Sequence, residues 1–435
     1  MTIPMHPALK AQLLPLIVEA IQATRVEGKY VNSEALIDLS FKCNEKLTNK
    51  KELNGLLERY VGPDPFLWAP YCFIAEKVLA ANLPEDAGEQ ALTELPAFSD
   101  PSAVSAELLS TIENLPNKYF CSVALPSKAA AAWKEYGIPA VVAQTIAIVG
   151  SWHDVANQFP VVPASFVFAA PGGGALSLSE MFNYEKSAES LPGTLTLHVT
   201  VNGLISNLSP GEPADEAIRT LKSFLGLSFA SKLCTQTFSF GADPDVEVNF
   251  YDVQNIGRRV TRKTLDRGLS ELVRSLWFRA ASTPDFAQRF KDLFAIIDGN
   301  LKSDPLVLAG RWLCDSYANH DKVMAFMQAA IVIEVLLGSG GGEDVGLTSM
   351  LANRCAYLLA RTTDEREALL KSFPEIYKTR SKIVHTGLGA LKAEEIEQFS
   401  QLRKLCDRVI QVEMMQLLAT RLPPPPTPLL DLKYS

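Results

Sequence analysis

This chain has little of what metal, disulfide and membrane proteins are built from. Its 435 residues include five histidines and seven cysteines. The cysteines (Cys43, Cys72, Cys121, Cys234, Cys314, Cys355, Cys406) are scattered, odd in number, and form no C-x-x-C pair or Cys/His cluster, which argues against a disulfide framework or a structural zinc site. A reducing cytoplasm is the expected location, and no metal or other cofactor is expected. No run reaches the roughly 18 apolar residues of a membrane span; even "VMAFMQAAIVIEVLLG" is cut by Gln328 and Glu334. "MTIPMHPALKAQLLPLIVEAI" lacks a basic leader and a small-residue cleavage site, so it reads as an amphipathic helix. Positive charge is also short. With 41 Lys and Arg against 49 Asp and Glu, the net charge is −8, which excludes a protein that coats nucleic acid indiscriminately.

Several familiar sites are missing as well. The glycine run "GSGGGEDVG" (338–346) lacks the G-K-[ST] ending of a phosphate loop and reads as a flexible connector between helices. "PGGG" (171–174) reads as a turn. His153 and Asp154 have no nucleophile elbow to serve, and His198, alternating within a strand, is expected on the surface of a sheet.

What is present is an α+β pattern. The composition, 47% hydrophobic and 21% charged, is that of a globular protein with room for two or three domains. Residues 1–80 read as a helical N-terminal region. Residues 82–118, rich in Pro, Glu, Ser and Ala, suggest a linker or surface excursion. Residues 119–257 mix β-branched runs, the alternating strands "TLTLHVTVNGLI" and "DVEVNFYDV", and a helix over 216–230, and so predict a mixed α/β domain for regulation or sensing. Residues 258–300 read as a basic helical connector. From 304 to 420 the period is helical throughout, over 304–317, 320–337, 347–361, 363–385 and 392–420, which predicts an all-α bundle. Residues 421–435 form a proline-rich tail that cannot be helical.

The most informative stretch is "KSFPEIYKTRSKIVHTG". Ser372 and Glu375 read as a capping box with Pro374 in the first turn, and Gly387 as a left-handed stop. Ile376, Ile383 and Val384 supply an apolar stripe, leaving Tyr377, Arg380 and Ser381 as a polar edge. A histidine near a helix C-terminus is favoured by the macrodipole alone. Arg380 and His385, however, are five positions apart, about 140° round the helix and about 7.5 Å along it. They can act together only if the helix end unwinds, or if another helix or a second chain completes the site.

Tyr377, Arg380, Ser381, Val384, His385 and Gly387 resemble the motif of the Apea-like branch of the HEPN superfamily, an Arg followed by four to six residues and a His. The surroundings add to the resemblance: Glu334 in an apolar helix, Arg354, Ala356, Leu358 and Leu359 in the helix before the motif, and "DEREALL" leading into it. The likeness covers about 304–420. It implies a HEPN-type helical bundle and a metal-independent endoribonuclease, in which the ribose 2′-hydroxyl attacks its own phosphodiester to leave 2′,3′-cyclic phosphate and 5′-hydroxyl ends. Histidine suits proton transfer near neutral pH, and a guanidinium suits the charge of a phosphorane. On this reading Arg380 and His385 are catalytic, with Glu334, Ser381 and Tyr377 in support. Ser381 stands where many HEPN nucleases carry Asn. The resemblance also implies a homodimer that joins two copies of His385, a toxin-like effector of antiphage defence, and a phage-derived or cellular trigger acting on the N-terminal region. The alternative is a non-catalytic HEPN protein that binds RNA or acts as a scaffold. Glu334 is open to two roles, a structural pair with Arg354 or an orienting one at Arg380 and His385.

"RRVTRKTLDRGLSELVRSLWFR" holds seven basic and two acidic side chains. On a helical wheel Arg259, Lys263, Arg267 and Arg274 share a face opposite a leucine stripe, a surface an RNA backbone could follow. Lys378 and Lys382 extend the candidate RNA contacts to the motif helix. The plainer reading is a solvated face paired with acidic neighbours.

Overall fold

The computed structural model describes residues 3–84, 86–162, 167–169, 175–177, 193–208, 211–237, 245–299, 303–338, 346–387 and 389–420. The fold is α+β: helices and one three-stranded sheet at the N-terminus, a larger antiparallel sheet in the middle, and a helical C-terminal region. All seven cysteines are buried free thiols.

The N-terminal unit comprises α1 (Pro7–Ala23), β1 (Arg25–Glu27), β2 (Tyr30–Val31), α2 (Glu34–Leu47), α3 (Lys51–Val61), α4 (Pro65–Ala80), β3 (Glu89–Ala91) and α5 (Pro101–Glu113). Pro7 opens α1, and His6 caps it by accepting from the Ala8 N–H at 3.2 Å. The expected linker at 82–118 is corrected here. Leu92, Leu95, Phe98, Leu108 and Ile112 are buried in the same core as α1 and α4. Asp100 caps α5 by accepting from the Ser102 and Ala103 N–H groups, both at 3.1 Å. Two of the prolines that suggest a linker, Pro96 and Pro101, stand at first helical positions, where a missing N–H costs nothing.

The central sheet contains β4 (Asn117–Ala124), β5 (Val141–Val142), β6 (Ile146–Gly150), β9 (Leu195–Gly203), β11 (Glu247–Asp252) and β12 (Asn255–Thr264), with β7 (Val167–Ala169) and β8 (Ala175–Ser177) pairing apart from it. Its order is β12-β11-β4-β9-β6-β5, every neighbour antiparallel. Alternation divides its residues between two faces. Tyr119, Cys121, Val123, Leu197 and Val199 join the core beneath α7 (Gly211–Ala230), while Phe120 packs with Phe159 and Tyr251 on the other side. Around the sheet lie α6 (Ser127–Glu135), β10 (Cys234–Gln236), α8 (Arg267–Arg274), β13 (Leu276–Phe278) and α9 (Phe286–Ile297).

The basic connector expected as helix over 258–300 is also corrected. Arg258 to Thr264 belong to β12, an edge strand paired with β11 and favoured by β-branched Val260, Thr261 and Thr264. Helix begins only at Arg267, where Asp266 accepts from the Leu269 N–H at 2.9 Å. Arg259 and Lys263 therefore share no helical face with Arg267 and Arg274.

The C-terminal helices are α10 (Asp304–Ala318), α11 (Lys322–Leu337), α12 (Leu347–Leu359), α13 (Thr363–Thr386) and α14 (Ala393–Ala419). One continuous apolar core runs from Tyr119 on the sheet to Met414 on α14, so sheet and bundle are packed as one body. Among the described residues no helix is long and apolar enough to cross a membrane. The glycine run from 339 to 345, "PGGG" and the tail beyond 420 lie outside the described residues.

Candidate active site at the end of the motif helix

α11 is apolar nearly all round; Asp321 caps it by accepting from the Val323 N–H at 2.8 Å, and Phe326, Ala329, Ala330 and Ile333 are buried. Glu334 is its one acidic residue. α13 is a single 24-residue helix. Thr362 caps it by accepting from the Glu365 N–H at 3.2 Å, and Pro374 lies well inside it. The Ser372–Glu375 capping box is thus replaced by a start ten residues earlier, since Thr362 meets the same need ahead of "DEREALL". The stop falls at Gly387 as expected, with φ 62° and its N–H donated to the Ile383 carbonyl at 3.2 Å.

Phe373, Ile376, Tyr377 and Ile383 form the buried stripe of α13. Two residues read differently from the sequence. Tyr377 is core, 3% exposed, stacked on Phe373 with centroids 4.7 Å apart, and its hydroxyl donates to the Ala330 carbonyl at 3.5 Å. Burial, and then the Glu334 charge, push its phenol pKa up, so it remains a protonated donor. Val384 is exposed and lies outside the stripe.

Arg380 follows Tyr377 by one turn and reaches the same helix, α11. Its Nε donates to Glu334 Oε1 at 3.2 Å and its Nη2 to Oε2 at 3.5 Å, with the two side chains 27% and 23% exposed. Of the two arginines, Arg380 is the one that pairs with Glu334, while Arg354 donates from Nη1 to the Leu337 carbonyl at 2.5 Å. A guanidinium has five N–H donors, and a carboxylate gripping one side fixes its plane while leaving others for a second anion. His385 is exposed in the last turn, and Ser381 is exposed one residue beyond Arg380. Because α13 stays helical through Thr386, the unwinding that would bring Arg380 and His385 together within one chain does not occur. Arg380 faces α11 and His385 faces solvent.

The lysines near the motif are engaged. Lys382 bonds Glu395 at 2.6 Å, and Glu395 also accepts from the Lys392 N–H at 2.7 Å, which ties the end of α13 to the start of α14. Lys378 is exposed, 3.9 Å from Glu375. The other candidate RNA contacts are dispersed. Arg259 donates to Asn249 at 3.0 Å, Lys263 pairs with Asp215, and Arg267 bonds Glu271 at 2.9 Å. Arg267 and Arg274 both help to hold the Glu271 carboxyl below its ordinary range.

Neither remaining histidine of the sheet region adds chemistry to this site. His153 locks a turn: Nδ1 accepts from the Gly150 N–H at 2.8 Å and Nε2 donates to the Ile138 carbonyl at 3.0 Å. His198, expected on the sheet surface, is 2% exposed, 2.8 Å from the Ser122 hydroxyl and close to the Phe120 and Phe159 rings. Burial pulls its pKa down to about 3. The folded value lies below the unfolded one, so neutral His198 contributes stability that is complete above about pH 6.5 and lost as the pH falls toward 3. In urea titrations between pH 7 and 4, the wild-type chain is expected to lose up to about 1.4 kcal/mol per pH unit more than His198→Gln. Equal slopes for the two proteins would rule this assignment out.

Sequence reasoning missed Arg403, whose guanidinium lies between the rings of Tyr317 (4.5 Å) and Phe399 (4.3 Å), one turn from the buried Asp407 that pairs with Lys232. The signal was the four-residue spacing of Phe399, Arg403 and Asp407 on α14. Together the fold and site define an α+β protein whose helical bundle carries an exposed histidine beyond a carboxylate-held arginine. No family model, curated protein or solved structure matches this chain.

Proposed function

We propose that this chain is a metal-independent endoribonuclease of HEPN type that acts as a homodimer. The observation that carries the reading is Arg380, partly open to solvent and held in one orientation by Glu334, followed on the same helix by exposed His385. The reaction is an internal transfer. A histidine takes the proton of the ribose 2′-hydroxyl, the 2′-oxygen bonds to phosphorus, and the P–O5′ bond breaks. A protonated histidine then supplies the proton of the new 5′-hydroxyl. Arg380 neutralises the charge that collects on the phosphorane oxygens. One chain offers one such histidine, and its helix turns it away from Arg380. A two-fold pairing of bundles offers a second His385 and a surface on which each arginine can meet the other chain's histidine. RNA is the substrate. The N-terminal and sheet regions are assigned to control of the nuclease by a phage-derived or cellular trigger, because a nuclease without restraint would harm its own cell.

Total RNA incubated with the purified protein in EDTA tests this reading. Cleavage is expected to survive the chelator, to leave 2′,3′-cyclic phosphate and 5′-hydroxyl ends, and to be absent from Arg380→Ala and His385→Ala. RNA patterns identical in all three proteins favour the non-catalytic alternative. Sedimentation at assay concentration tests the pairing: a strictly monomeric chain with full activity overturns it.

A further inference from the structure

Helices α7 and α10 touch where Gly226 meets Gly310: a Cβ on Gly226 would strike the Gly310 carbonyl. Toward their N-termini the gap between them widens into a cavity of about 180 Å³, lined on α7 by Glu216 and Arg219 and on α10 by Asp304, Val307, Leu308 and Arg311. That is below the range of drug-sized pockets and equals the liquid share of about six waters, so it suits a molecule of amino-acid size. Its unusual feature is charge left unmatched. Arg262, Arg267 and Arg380 each find a carboxylate, and inside the cavity Arg219 is held by Glu212 and Glu216. Arg311, half-buried, and Asp304, exposed, have no side-chain partner among the described residues. They stand two turns apart on one face of α10, about 10.5 Å along its axis, with Val307 and Leu308 between them. Long side chains lean toward the helix N-terminus, so Arg311 leans toward the turn of Asp304. A half-buried charge without a counter-ion is costly, and a counter-ion that arrives with a ligand removes the cost. Opposite charges at the two ends of an apolar wall select a molecule carrying both signs. A simple anion is repelled by Asp304 and Glu216, and a simple amine by Arg311 and Arg219.

We propose that this cavity binds a free amino acid. Its carboxylate accepts from Arg311, its ammonium donates to Asp304, and its side chain rests on Val307 and Leu308. The assignment does not rest on the nuclease reading, for neither helix carries Arg380 or His385. Because α7 covers the sheet and α10 belongs to the bundle, a ligand in their gap bridges the two regions, and unfolding is the natural readout.

The full chain is unfolded by heat alone and with each of the twenty standard amino acids at about 1 mM, where a ligand that binds only the folded state raises stability by mass action. At least one amino acid is expected to raise the wild-type midpoint and to leave those of Arg311→Gln and Asp304→Asn unmoved. Neither substitution breaks an existing side-chain bond, so both variants should unfold where the wild type does when no ligand is present. By calorimetry, either substitution should weaken that amino acid at least tenfold, about 1.4 kcal/mol. The matching amine without the carboxylate, and the matching acid without the amine, should each bind at least tenfold more weakly than the amino acid. A midpoint unmoved by all twenty overturns the proposal. A shift that both variants retain also overturns it, since the amino acid then sits elsewhere, and so does an amine or acid that binds as tightly as the amino acid. A wild-type chain that cuts no RNA yet binds the amino acid through Arg311 removes the nuclease reading and leaves this one standing.

Discussion

Gly226→Ala is expected to destabilise the protein by about 3 kcal/mol or more, although alanine is the better helix former by about 1 kcal/mol. Gly226 on α7 and Gly310 on α10 meet where the two helices cross. A Cβ on Gly226 would collide with the Gly310 carbonyl oxygen and lie 2.7 Å from its carbon and 3.0 Å from the Cys314 nitrogen. Those are backbone atoms, so no rotamer change relieves them, and the helices must part. Parting them loosens Phe224, Leu225, Leu227, Leu313 and Cys314, all fully buried, and adds the cost of overpacking, typically 1–3 kcal/mol. Gly310→Ala should cost less, because its nearest contact is the Leu227 side chain at 2.7 Å, although the Ser223 carbonyl at 2.8 Å remains in the way. Gly55 on α3 has nothing within 4 Å of an added Cβ. Gly55→Ala should therefore stabilise by up to about 1 kcal/mol. Urea unfolding of the three variants reads the contrast directly; a Gly226→Ala chain as stable as Gly55→Ala would show that the crossing is not tight. The stakes exceed one helix pair, since α7 covers the sheet and α10 belongs to the bundle that carries α13.

Elements with a local signature were legible in the sequence, and those decided by distant partners were not. The C-terminal helices follow their apolar period, β9 and β11 follow alternation, and Gly387 stops α13 where a left-handed residue was expected. β12 was misread because basic residues four apart suit a helix as well as an edge strand, and only pairing with β11 decides between them. Residues 82–118 were misread because Pro96 and Pro101, which start helices, give the segment the composition of a linker. Tyr377 was placed on a polar edge because its hydroxyl is visible in the sequence while the Ala330 carbonyl that receives it is not. At the candidate site, a lone carboxylate in an apolar helix announced that Glu334 needs a partner. Nothing local distinguished Arg380, 46 positions away, from Arg354. The meeting of Gly226 and Gly310 leaves no trace in either helix alone.

Arg380→Lys is expected to lower RNA cleavage by about 10²–10³, much as removal of an electrostatic donor does, even though it keeps the charge. On the proposed reading Arg380 must hold Glu334 with one part of its guanidinium and meet a phosphate with another. An ammonium is a compact point charge that cannot span both in a fixed plane. His385→Ala should lose about 10²–10⁴, the range for a proton-transfer group. The two positions differ in what they do for the fold, which separates chemistry from collapse. His385 is exposed, so its removal should leave the urea midpoint where the wild type has it. Arg380→Ala leaves Glu334, three-quarters buried, without its guanidinium; after allowance for its solvent contact the cost is on the order of 1 kcal/mol. Arg380→Lys should recover part of that loss without recovering cleavage. Initial rates and unfolding midpoints taken on the same preparations test both statements. A His385→Ala chain that cuts RNA at the wild-type rate would end the case for a nuclease at this helix end, whatever the midpoints show.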